Sequence, residues 1–341
     1  MTSAHLFSTL QLREVTARNR IWVSPMCQYS VFAEDGVPTD WHLVHLGSRA
    51  VGGAGLVTFE ATAVEARGRI SPHDLGLWND TQAEAFARIT RFVAEHGAVP
   101  AIQLAHAGRK ARVPGAIGPS GLAYSPDMPV PQVASADDLA GVVAAFRGAT
   151  RRALAAGFQA VEIHAAHGYL LHEFLSPISN RRDDAYGGKF ENRIRLVLEV
   201  ARAVRGVWPE RQPLLVRISA TDWLNEGWDP VQSVELARQL VPLGVDLIDV
   251  SSGGLSPDQQ VPQRPGYQVP FAAQIRREVG IATAAVGLIT DARHAEGIVQ
   301  RGEADAVFIA RQSLRDPYWP LRAARELGQE MPVPFQYGRA W

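Results

Sequence analysis

Residues 160–169 read Ala160-Val161-Glu162-Ile163-His164-Ala165-Ala166-His167-Gly168-Tyr169. In an extended chain successive side chains point to opposite faces, so Glu162 and His164 share one face and Val161 and Ile163 the other. The run then breaks into a loop carrying a histidine, a glycine and a tyrosine. On its N-terminal side, residues 136–156 place apolar side chains at helical spacing and end at Gly157, a residue type that closes helices. On its C-terminal side a second helical pattern covers 191–206 and stops before Pro209. Helix, short apolar strand, polar loop and helix make the unit of a parallel sheet covered on both faces. The unit recurs outward in both directions. Strand-like runs fall at 21–24, 56–59, 99–104, 160–164, 214–218, 247–250, 281–286 and 306–309. Helical patterns fall at 40–52, 80–96, 136–156, 191–206, 230–243, 270–279, 291–301 and 317–327. Eight strand–helix units in succession predict an α/β fold, a single-domain (β/α)8 TIM barrel over residues 1–341. A doubly wound open sheet is the rival, because periodicity does not show closure. The longer connections, 66–78, 105–134, 165–190, 221–229 and 251–269, mostly follow strands. In a barrel they build the C-terminal face, where active sites form.

Composition narrows the class. The 341 residues carry 34 Lys+Arg against 35 Asp+Glu, a net charge of −1, which gives no reason to expect nucleic acid or an anionic membrane as partner. Hydrophobic residues at 46% against 20% charged exclude a disordered chain. The single cysteine, Cys27, excludes a disulfide framework, a multi-cysteine zinc site and a cysteine-ligated iron–sulfur cluster. No stretch approaches the roughly 20 apolar residues of a membrane span. Residues 1–12 lack a cationic start and a long apolar run, so a cytoplasmic setting is expected.

The candidates for chemistry lie at strand ends. His164 closes the fourth strand, with His167 and Tyr169 in the loop behind it. Two imidazoles side by side can donate to one developing oxyanion, and a nearby phenol can supply a proton. The same residues also fit a hydrogen-bonded pair of loop histidines beside a packed tyrosine. A metal reading of His-x-x-His is weaker, with only His172 or Glu173 as further ligands. The first strand runs into Ser24-Pro25-Met26-Cys27-Gln28-Tyr29. Cys27 is there either a small buried hydrophobe or a group touching a cofactor or substrate, and no adjacent base marks it as a nucleophile. Gln103 ends the third strand. Arg217 sits inside the fifth, either in a buried ion pair, for instance with Glu162, or aimed at an electron-rich ring. Gly287 follows strand seven, and Ala310 and Arg311 follow strand eight. Loops at those places often cradle a phosphate with backbone N–H groups, although a plain tight turn explains a single glycine equally well. No Gly-x-Gly-x-x-Gly follows the first strand and no Walker-type loop is present, which argues against a Rossmann dehydrogenase or an NTPase.

The segment Ser176-Pro177-x-x-Asn180-Arg181-Arg182-Asp183-x-x-Tyr186-Gly187-Gly188-x-x-x-Asn192-Arg193 resembles the pattern that follows the fourth strand in the old yellow enzyme family. His164-Ala-Ala-His167-Gly-Tyr169 matches that family's anion-binding pair and proton donor, and the likeness covers nearly the whole chain. The opening Ser24–Tyr29 and the closing Gln336-Tyr337-Gly338-Arg339-Ala340-Trp341 resemble its thermophilic-like class. The resemblance implies an FMN barrel that takes hydride from NADPH or NADH. It then reduces C=C bonds conjugated to a carbonyl or nitro group. It implies Ser24, Pro25, Met26, Cys27 and Ala61 beside the flavin ring, with Gln103 and Arg217 at its pyrimidine edge. Gly287, Ala310 and Arg311 would hold its phosphate; Ala310 stands where many relatives have glycine. Tyr29 would line the substrate pocket, His164 and His167 would bind substrate oxygen, and Tyr169 would be the proton donor. No metal is implied. A homodimer or homotetramer follows, with the tail 331–341 against a partner subunit and Arg339 donated in trans. The alternatives are nitro or nitrate-ester reduction at the same site, and, from another class, a flavin-free barrel lyase or binding barrel. The stretches 223–230 and 257–270 match no role.

Overall fold

Eight short parallel strands close on themselves in the computed structural model, which describes residues 5–340. They are β1 (Ile21–Val23), β2 (Leu56–Ala63), β3 (Val99–Ala105), β4 (Ala160–Ala165), β5 (Leu214–Ser219), β6 (Leu247–Ser251), β7 (Ala282–Ala285) and β8 (Ala306–Ile309). Closure is made by β8 on β1, where Val307 pairs with Ile21 and Ile309 with Val23. That pairing removes the open-sheet rival. The outer ring comprises α1 (Asp40–Val51), α2 (Asp80–Glu95), α3 (Ala136–Ala155), α4 (Arg195–Arg205), α5 (Pro230–Leu240), α6 (Val269–Val279), α7 (Ala292–Gln300) and α8 (Trp319–Glu326). Local chemistry starts several of them. The side chains of Asn79, Ser135, Asp229 and Asp291 accept from backbone N–H groups of the first turn.

Pairing register and side-chain alternation sort the barrel interior into layers of four, each drawn from alternate strands. The lower layers are apolar: Leu56, Ala160, Leu247 and Ala306, then Trp22, Ala101, Leu215 and Ala284. Above them comes a layer of Thr58, Glu162, Asp249 and Phe308, then one of Ser24, Gln103, Arg217 and Val286. The rim layer is Glu60, His164, Ser251 and Ala310. The interior thus changes from hydrocarbon to polar towards the C-terminal rim, the end at which chemistry is built.

Three elements differ from the periodicity. The helix expected over 191–206 is divided at Ile194 into Phe190–Arg193 and α4. The guanidinium of Arg193 reaches back to the carbonyl oxygens of Leu175 and Gly188, which anchors the loop after β4. A hairpin, Leu10–Leu12 with Val15–Ala17, covers the lower end of the barrel and packs Leu10, Leu12 and Val15 on its apolar layers. Three-residue strands are too short for periodicity to reveal. Residues 331–340 leave the ring; Phe335 is 91% exposed and Arg339 is exposed. Trp341, the last residue of the closing motif, lies outside the described residues. Among the described residues no helix is long and apolar enough to cross a membrane.

Candidate active site

The loop after β4 carries the first cluster. His164 Nδ1 accepts the N–H of Ala166 at 3.2 Å, which puts the ring proton on Nε2. The rings of His164 and His167 lie 5.1 Å apart at 89°, and those of His164 and Tyr169 lie 5.0 Å apart at 84°. His167 Nε2 is 2.7 Å from Ser251 Oγ, the rim residue of β6. Burial, reinforced by the charge of Arg217, holds both imidazoles well below their ordinary range, so both are neutral. Burial likewise pushes the Tyr169 phenol well above its ordinary range and keeps its proton in place.

His167 adopts φ +59°, a conformation uncommon outside glycine. Close packing enforces it. Gly168 and Gly254 take φ +71° and +90°, and a Cβ on Gly254 would lie 2.5 Å from the Cα of His167. Lys110 Nζ fastens the same spot, donating to the carbonyl oxygens of His167 (3.0 Å) and Gly254 (3.1 Å). Below, Gly168 N–H donates to His172 Nδ1 (2.8 Å), and His172 Nε2 faces Asp222 Oδ1 at 2.9 Å. His172 therefore has both ring nitrogens engaged, and Glu173 accepts from the N–H of Arg109. Neither stands with His164 and His167 as a metal ligand. Among the described residues no group of three or more His, Cys, Asp or Glu side chains is placed to hold a metal ion.

Two cavities open on the rim. One, of about 400 Å³, is lined by Tyr29, Lys110, Tyr124 and Tyr169, which brings the expected pocket residue Tyr29 to the expected donor. The other, of about 170 Å³, lies at the ends of β6–β8 and is lined by Ser251, Gly287, Ala310, Arg311 and Arg315. Gly287 has φ +128°, and a Cβ there would press to 3.0 Å on Tyr267 and Gln268. The short helix Arg311–Arg315 begins at this cavity, so first-turn N–H groups without intrahelical acceptors meet two guanidiniums. A phosphate monoester fits that donor set.

Between the cavities, Ser24, Gln103 and Arg217 form one polar layer, with Arg217 Nη1 donating to Ser24 Oγ at 3.2 Å. Arg217 is ion-paired, but with Asp249 (Nε–Oδ2 3.1 Å) rather than with Glu162. Glu162 instead accepts from Gln103 Nε2 at 2.7 Å. Cys27 is partly buried behind the first strand. Burial, then Glu60 and Asp74, pushes its thiol well above the ordinary range, so no thiolate is held there. Pro25 and Met26 are half-buried, Met26 packing on the main core. Arg339 is the one expected site residue not assembled here. It lines a surface groove with Tyr318 and Arg322 and makes no hydrogen bond or ion pair among the described residues. Sequence reasoning missed Asp249, Lys110, Ser251 and Arg315. Asp249 was detectable, since it falls inside an apolar strand next in order to that of Arg217; the other three lacked any pattern.

The chain has relatives of known family and structure. Residues 5–330 match the model of the NADH:flavin oxidoreductase / NADH oxidase family. The chain is 51% identical over 337 residues to an NADPH dehydrogenase of Geobacillus sp. (strain WCH70), covering 98% of each chain. Its structure superposes on morphinone reductase with a TM-score of 0.81 and 28% identity, covering 96% of this chain and 91% of that one. An old yellow enzyme homologue from Zymomonas mobilis gives 0.79 and 27%, covering 96% and 94%. The chain belongs to the NADH:flavin oxidoreductase / NADH oxidase family, as an FMN-dependent NADPH oxidoreductase of the old yellow enzyme type.

Proposed function

We propose that the protein reduces the C=C bond of α,β-unsaturated carbonyl or nitro compounds. The observation that carries this is the perpendicular packing of neutral His164 against neutral His167 and against the protonated phenol of Tyr169, which itself lines the cavity with Tyr29. Bound FMN supplies the hydride, having received it from NADPH. Gly287, Ala310, Arg311 and Arg315 would hold the cofactor's phosphate, while Gln103 and Arg217 would meet the pyrimidine edge of its ring. Ser24, Pro25, Met26, Cys27 and Ala61 would border the ring itself.

His164 donates from Nε2 to the substrate oxygen. His167 donates from Nδ1 when the Ser251 hydroxyl donates to its Nε2, so Ser251 sets that tautomer. Both donors strengthen as negative charge grows on the oxygen, which favours the transition state over the ground state. Tyr169 O–H delivers the proton to the α-carbon, its raised pKa being matched to a carbanion-like acceptor. The active unit is a homodimer or homotetramer in which Arg339 of one subunit completes the site of its neighbour. That reading accounts for a guanidinium and the exposed aromatic side chains of Phe335 and Tyr337 on a Pro-stiffened tail.

Replacing His164 and His167 together by Ala is expected to leave FMN bound and remove most enone reduction, since one preorganised oxyanion donor is worth about 10²–10³ in rate. Enone reduction at wild-type kcat/KM in the double variant overturns the assignment.

A further inference from the structure

The barrel interior holds one charged group too many. The layer directly beneath Arg217 contains Glu162 and Asp249, both fully buried. Around them the interior is accounted for on every strand. In their own layer Thr58 and Phe308 bear no charge. The layer above adds Ser24, Gln103 and Val286 to Arg217, and the layer below is Trp22, Ala101, Leu215 and Ala284. The next titratable groups on the rim, His164 and Glu60, are neutral, the first by a lowered pKa and the second because burial raises its carboxyl to about 8. Two carboxyl groups therefore share a single cation. Glu162 Oε2 and both oxygens of Asp249 make no hydrogen bond, although the two side chains share one layer of the interior.

Two ionised carboxylates cannot lie side by side in so dry a place. One proton between them leaves a neutral carboxylic acid beside a carboxylate, and that carboxylate balances Arg217. Burial raises both groups, and the charge of Asp249 lifts Glu162 further, to about 8, while Arg217 holds Asp249 lower, at about 6.

We propose that Glu162 and Asp249 form a one-proton site under Arg217 that binds a second proton whenever the flavin above is reduced. The charge balance runs through Arg217. Hydride transfer from NADPH brings two electrons and one proton to the flavin, leaves NADP⁺, and adds one negative charge at the edge Arg217 faces. Arg217 cannot fully serve that charge and Asp249 together. A proton drawn from solvent converts the acid–carboxylate pair into two neutral acids and releases the guanidinium to the flavin. When the hydride passes on to substrate, the proton returns to solvent. Glu162 and Asp249 are thus positioning residues acting through Arg217. This rests on Arg217 facing the flavin, as proposed above.

The experiment measures the midpoint potential of the FMN-loaded protein against pH, for wild type, Glu162→Gln and Asp249→Asn, together with redox-difference infrared spectra. A tenfold change in a two-electron equilibrium is about 30 mV, so each coupled proton adds about 30 mV per pH unit to the slope. Wild type is expected near twice the slope of either variant around neutral pH. Its difference spectrum should show a carboxylic-acid C=O stretch appearing on reduction, shifted in D2O and lost in Glu162→Gln. Should the variants fail to fold, the wild-type spectrum decides alone: no such band on reduction overturns the proposal. Equal slopes in wild type and Glu162→Gln overturn it as well. An Arg217→Lys control separates the premise. An unmoved potential there puts Arg217 away from the flavin and overturns both readings; a moved potential with no proton uptake overturns only the pair's role.

Discussion

Tyr29, His167 and Leu288 share a left-handed backbone, with φ +51°, +59° and +52°, and each borders one of the two rim cavities or the cluster between them. Strained residues of this kind persist where the surroundings over-determine them, and here they aim side chains that a relaxed loop would turn away. Cys27 shows the opposite case, a reactive atom made quiet by its neighbours. Burial, with Glu60 and Asp74 nearby, opposes a thiolate. Cys27→Ala is therefore expected to shift the flavin potential or the KM while turnover continues. Stopped-flow reduction and steady-state rates check it; complete loss of turnover with FMN still bound would show that the thiol takes part in the chemistry.

At the scale of elements, the loops after β3, β4 and β6 form one fixture. Lys110 from the first donates to carbonyls of the other two, and Gly168 and Gly254 approach so closely that a Cβ on Gly168 would lie 2.2 Å from the Gly254 oxygen. Burial pushes the Lys110 pKa down to about 8. Gly254→Ala must both hold a left-handed alanine, at about 1–2 kcal/mol, and push the His167 backbone aside. The expected result is a lower Tm and a loss of enone reduction larger than the loss of FMN affinity. Fluorescence of released flavin, read beside kcat/KM, checks the order of these effects.

For the whole molecule, buried titratable groups shape stability against pH. Burial lowers His42 to about 4 and His45 to about 3, so their contribution is complete above about 6.5 and is lost as pH falls towards 4 and 3. Burial raises Glu60 and Glu173 to about 8, so theirs is complete below the ordinary carboxyl range near 4.5 and is lost as pH rises through 8. Stability should accordingly fall between pH 6.5 and 8. Glu173→Gln, which keeps an oxygen for the Arg109 N–H, should flatten that decline. Each proton removed from the balance is worth about 1.4 kcal/mol per pH unit, and denaturant melts at several pH values measure it. At the same scale, the exposed tail bears on assembly. Mixing a variant lacking His164 and His167 with Arg339→Ala should restore activity in heterodimers, because one site regains every group. Well-mixed heterodimers without recovery would place Arg339 outside the neighbour's site.

Apolar runs alternating with helical patterns were enough to name the barrel, because covered parallel strands and amphipathic helices leave period-specific marks on a chain. The same reading singled out His164, His167, Tyr169, Gly287 and Arg217 as candidates, since each stands near or just beyond a strand end at the rim. Closure was decided only by β8 meeting β1, a pairing between residues almost three hundred positions apart that no local period encodes. The partner of Arg217 was decided in the same way. Glu162 and Asp249 are both plausible in sequence, and the one-residue stagger between neighbouring strands turns Asp249 to the guanidinium and Glu162 to Gln103. Lys110 lies in a long loop with no periodicity at all, and only the packing of three loops on one rim brings its ammonium to His167. Local pattern thus carries the elements and their order, while the contacts that tune charge depend on register and closure, which exist only once the chain has folded.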